Sequence, residues 1–114
     1  KLDDSVIIVS KGTQPNEDAY SAFDGRTEHG IPLDDFLDHN GISLLYVGGL
    51  ATDYCVKNAV LDALRRPYLN RVYLLTDACR AVNLIPTDEE NSLFAMKKSG
   101  TIFMETEQAL EQVR

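Results

Sequence analysis

Apolar residues fall into short runs separated by amphipathic stretches. Residues 5–10 (SVIIVS) form a continuous run with β-branched members, the pattern of a strand covered on both faces. Lys11-Gly12 and Pro15-Asn16 break it. Residues 20–25 (YSAFDG) are polar-aromatic and end at a turn. Pro32 fits the first helical position, with Leu33, Phe36 and Leu37 as the inner stripe of a short helix that Asn40-Gly41 stops. Residues 42–47 (ISLLYV) predict a second buried strand, ended by Gly48-Gly49. Thr52 or Asp53 can cap the next helix, whose apolar positions Val56, Ala59, Val60, Ala63 and Leu64 recur at helical spacing up to the stop at Pro67. Residues 71–76 (RVYLLT) predict a third strand. Thr87 and Glu90 have the spacing of a capping box for a helix running to Gly100. A short strand over 101–104 and a terminal helix over 106–113 complete the order.

Buried strands alternating with amphipathic helices predict an α/β fold with a mostly parallel sheet. Right-handed crossovers then gather the loops that follow the strands on one edge, where ligands bind. Three loops meet that description: those opening at Lys11, spanning 48–53 and spanning 77–86. No repeat, low-complexity tract or linker divides the chain, so residues 1–114 read as one unit.

Charge narrows the classes of partner. Eleven basic against 18 acidic side chains give a net charge of −7, which argues against nucleic acid and against an anionic membrane surface. No apolar run approaches the ~18 residues of a membrane span. Lys1-Leu2-Asp3-Asp4 does not read as a signal peptide, and two cysteines make neither a disulfide framework nor a zinc set. A cytoplasmic setting is the expectation.

Cys55 is the most informative residue. It falls in the first turn of a helix just beyond a strand, where N–H groups and the helix dipole stabilise a thiolate and could hold an oxyanion. A small buried apolar residue is the competing reading. Lys11, on the same edge, is either a solvated charge or an ammonium that favours the thiolate. Cys79 reads as structural, His29 and His39 as solvated, and the acidic clusters as helix-start charges.

Lys11-Gly12-Thr13, the stretch Asp18-Ala19-Tyr20-Ser21-Ala22-Phe23, the segment Gly48-Gly49-Leu50-Ala51-Thr52-Asp53-Tyr54-Cys55-Val56, and Thr76-Asp77-Ala78-Cys79-Arg80 with Val82-Asn83 occur in that order. Together they resemble the nicotinamidase/pyrazinamidase branch of the isochorismatase-like cysteine hydrolases. The resemblance implies a three-layer α/β/α fold. It implies hydrolysis of nicotinamide to nicotinate and ammonia through a cysteine thioester, a step of NAD salvage. Cys55 would be the nucleophile and Lys11 the lysine of the triad. A cis peptide at Leu50-Ala51 would aim the N–H groups of Ala51 and Cys55 at the oxyanion, and Ala19 and Tyr20 would line the ring pocket.

The family's catalytic aspartate lies at the end of its first strand, and its metal ligands also lie upstream of the lysine. A divalent metal (zinc, iron or manganese) is therefore implied, with ligands absent from this chain. The resemblance is to the C-terminal portion of one domain with its N-terminal strands missing. The expected partners are a small amide substrate, the missing N-terminal portion or a companion chain, and a possible second copy. Residues 1–114 alone are expected to lack amidase activity, because an amine leaves poorly without general acid help worth ~10²–10⁴. Two alternatives stand beside this: a non-catalytic interaction domain or relic of the same fold, and a cysteine hydrolase of another small amide or carbamoyl compound.

Overall fold

A computed structural model describes residues 9–10 and 21–113. The frame is a parallel sheet of β3 (Leu44–Leu50), β4 (Arg71–Arg80) and β5 (Ile102–Met104), with β4 in the middle. Between these strands run α2 (Lys57–Leu64) and α3 (Asp88–Lys98), and α4 (Thr106–Val113) closes the described chain. Upstream, β1 (Val9–Ser10) pairs with β2 (Arg26–Thr27), and α1 (Leu33–His39) leads into β3.

Side-chain alternation along β4 makes the layers. Val72 and Leu74 point to one face and form the core with Val56, Val60 and Ala63 around α2, Leu69 beyond it, and Met96 of α3. Tyr73 points to the other face, stacked on Tyr46 with ring centroids 5.0 Å apart. The Tyr46 hydroxyl donates to Gln112 Oε1 of α4 at 2.7 Å. So α2 and α3 cover one face and α4 the other, the α/β/α arrangement that the resemblance implies. The N-terminus of α4 is tied back to β4, where Asp77 Oδ1 accepts from both the amide and the hydroxyl of Thr106 at 2.9 Å.

Several expectations need correction. The first strand was expected in the parallel sheet. Residues 5–8 of that run lie outside the described residues, and its described end, Val9–Ser10, pairs antiparallel with Arg26–Thr27. Gly48-Gly49 does not end β3, which runs on to Leu50, and β4 runs past Thr76 to Arg80. The two strands stay paired after a register shift: Val47 faces Leu74, but Gly49 faces Cys79. The extra residues of β4 bulge toward β3, and an added Cβ on Gly48 would lie 3.1 Å from Ala78 Cβ. Gly49 follows at φ 126, a conformation that favours glycine. Pro32 stands at the N-cap of α1 rather than at its first helical position. Thr87 makes no side-chain cap to α3; Asn83 Oδ1 accepts from the Glu89 amide there at 2.8 Å instead.

Asp34 anchors α1 to the turn after α2, its Oδ1 accepting from the Tyr68 hydroxyl and from Arg66 Nε at 3.2 Å. The Tyr68 bond acts most strongly on this carboxyl, and with Arg66 it outweighs partial burial, holding Asp34 below its ordinary titration. A carboxyl lowered in the folded state contributes stability that is whole above its unfolded pKa and lost as pH falls through the folded one. The difference in melting temperature between wild type and Asp34→Asn is therefore expected at neutral pH. It should shrink once the pH drops below ~4 and vanish under the folded value. A gap that stays constant down to acid pH would show that the carboxylate's charge is not what holds α1.

Candidate active site

The site forms where β3 and β4 end. After Leu50 the chain passes through a cis peptide to Ala51. It then makes a turn of π geometry over Thr52–Val56, in which the Val56 amide reaches back to the Ala51 carbonyl at 3.1 Å. The Tyr54 amide donates to the same oxygen at 3.1 Å. α2 follows without a break at Lys57. Cys55 therefore sits in a wide turn just ahead of α2 rather than in a regular first turn, and no side chain caps it.

Cys55 is half-buried and lines a cavity of about 170 Å³. The other described walls come from Val47, Gly48 and Leu50 of β3, Val56 of the turn, Ala59 of α2, and Ala22 from the short 3-10 turn Ala22–Asp24. That volume is under the ~300–1,000 Å³ of drug-sized sites and suits a small ring. Among the described residues the lining beyond the thiol is apolar.

Asp53 does not cap its own helix, as the sequence suggested. It is buried, and its carboxylate reaches across to the segment that follows β4: Oδ1 accepts from the Val82 amide at 3.0 Å and Oδ2 from the Asn83 amide at 2.8 Å. Burial pushes this carboxyl up. The two amide bonds, with its own backbone N–H and the charge of Lys57, more than offset that and hold it below the usual carboxylate range. Two of the three loops expected on one edge thus meet there.

Cys79 is buried on β4, its thiol donating to the Leu75 carbonyl at 3.3 Å, and burial pushes that thiol up. This fits its reading as a structural residue. His29 and His39 are exposed, as read. Of the candidate residues, Cys55 and Ala51 come together at the turn; Lys11, Ala19 and Tyr20 lie outside the described residues. Sequence reasoning missed Ala22 as a cavity wall and Asp53 as a bridge. The one signal for the bridge was Asn83, a residue type tolerant of the left-handed φ of 54 that it adopts.

Comparison with known proteins adds to this geometry. The isochorismatase domain profile matches residues 16–108. The chain belongs to the isochorismatase domain family. The nicotinamidase of Escherichia coli (strain K12) is 45% identical over 94 residues, which cover 82% of this chain and 43% of that protein. The crystal structure of the pyrazinamidase of Pyrococcus horikoshii in complex with zinc superposes with a TM-score of 0.77 at 39% identity, covering 92% of this chain and 54% of that one. PnC1 from L. infantum, in complex with nicotinate, matches with a TM-score of 0.71 at 27% identity over 87% of this chain and 48% of its own. Within the isochorismatase family these relatives support the nicotinamidase/pyrazinamidase branch. The chain spans about half the length of the relatives it matches.

A zinc-bound relative raises the question of a metal here. Among the described residues no three His, Cys, Asp or Glu side chains gather into a metal-binding group. These residues do not fit a metal site. No helix among them is long and apolar enough to cross a membrane.

Proposed function

We propose that this chain is the nucleophile-bearing, C-terminal portion of a single amidohydrolase domain that converts nicotinamide to nicotinate and ammonia, as in NAD salvage. The observation that carries the reading is the thiol of Cys55 on the wall of a small apolar cavity, in the turn that enters α2. The relatives named as nicotinamidases and the nicotinate-bound neighbour support the substrate class.

In this mechanism the Cys55 thiolate attacks the carboxamide carbon. The carbonyl oxygen takes up the charge and is stabilised by the N–H groups of Ala51 and Cys55. The C–N bond then breaks, a proton goes to the departing nitrogen, and ammonia leaves behind a thioester. Water hydrolyses the thioester to nicotinate and restores the thiol. Lys11 favours the thiolate, and Ala19 and Tyr20 hold the ring. The proton is carried by a carboxylate that, by the family pattern, lies upstream of Lys11. The walls of the cavity exclude water from the ring while the thioester forms.

The test is ammonia release from nicotinamide and pyrazinamide by the complete protein, with isolated residues 1–114 assayed beside it. Turnover by the complete protein and none by the isolated stretch is the expected result. A complete protein inert on both amides overturns the substrate assignment. Comparable turnover by residues 1–114 overturns the need for a carboxylate outside that stretch.

A further inference from the structure

We propose that Asp53 is a positioning residue for the Cys55 thiol, locking the turn that carries it onto the segment following β4. The inference rests on the reading of Cys55 as the nucleophile.

Three observations meet at this carboxylate. It is buried, with 5% of its surface exposed, only two residues before Cys55. Both of its oxygens are committed to a different part of the chain, the amides of Val82 and Asn83. And the segment it grips is itself fastened, because Asn83 Oδ1 accepts from the Glu89 amide at the start of α3, while Asp88 Oδ2 accepts from the Ile85 amide at 2.9 Å.

The turn needs such a hold. Its backbone contact spans five residues rather than four, it has no side-chain cap, and it must stop the thiol at the cavity wall before α2 takes over. An aspartate just before a helix usually caps it, accepting from an N–H two or three residues further on. Asp53 reaches instead to the segment between β4 and α3. The position of the thiol is thus referred to the sheet and to α3 rather than to its own helix alone. Misplacement of a reacting group by ~1 Å can cost ~10²-fold in rate, so a bridge of this kind has a kinetic consequence that an ordinary structural bond lacks.

Asp53→Asn separates the two. Its amide keeps one acceptor oxygen and sets an N–H donor against a backbone N–H donor, which loosens the segment without emptying the site. In the complete protein, kcat for nicotinamide is expected to fall at least ~10-fold with KM within ~2-fold, and the second-order rate of Cys55 alkylation by iodoacetamide to fall by ~5-fold or more. Asp53→Glu, which retains both acceptor oxygens, should recover part of each loss. If Asp53→Asn does not fold, Val82→Pro removes one of the two donors while leaving the carboxylate in place, and the same losses are expected. Alkylation and kcat at wild-type levels per folded molecule, in whichever variant folds, overturn the proposal. Alkylation needs no substrate. Slower alkylation in a protein that does not turn over nicotinamide supports the positioning role and counts only against the proposed substrate.

Discussion

Cys55→Ala in the complete protein is expected to lower amidase turnover by at least ~10³-fold while leaving the fold intact. The loss is large because no other described side chain on the cavity wall can form the acyl intermediate: Ala22, Val47, Gly48, Leu50, Val56 and Ala59 carry no nucleophile. The fold survives because the turn is closed by main-chain bonds, from the Tyr54 and Val56 amides to the Ala51 carbonyl, and alanine retains both. Ammonia release together with circular dichroism reads the two quantities separately. Cys55→Ser keeps a nucleophilic atom but one far harder to ionise, so it should also be strongly impaired. Activity within about tenfold of wild type in the alanine variant would remove the thioester route altogether.

The second large effect falls on the core. Leu74 is fully buried at the centre of β4, in the cluster that joins α2, β4 and Met96 of α3. Leu74→Ala is expected to destabilise the protein by about 2–5 kcal/mol, the sum of lost transfer energy and the cavity left behind. With a urea dependence of ~1–3 kcal/mol per molar, the unfolding midpoint should drop by roughly 1–3 M. Phe94 is a larger residue on α3 but is 68% exposed, so Phe94→Ala should change stability by no more than about 0.5 kcal/mol. Equal losses from the two variants would mean that the face of β4 toward α2 is not the core.

Periodicity made much of this architecture legible. The apolar runs at 42–47 and 71–76 became β3 and β4, and the helical spacing from Val56 to Leu64 became α2 with its inward residues as read. Strand ends were not legible. β4 continues through Asp77 and Ala78, exposed residues with no strand signature, to Cys79 and Arg80, which pair with Gly49 and Leu50 after the register shift. Arg26–Thr27 has no apolar pattern either, and its pairing with Val9–Ser10 makes it a strand. Cys55 could be singled out because a strand, two glycines and a helix leave few places for a residue between them. The partners of Asp53 could not, since Val82 and Asn83 contribute main-chain amides, and an amide looks the same under any side chain.

The spatial order β3–β4–β5 is also the order along the chain. Parallel pairing is slow when it must join distant segments, but here each strand meets the next after a single helical excursion. These three strands can therefore assemble by stepwise accretion, each new crossover docking on the strand laid down before it, in the direction in which a ribosome delivers the chain.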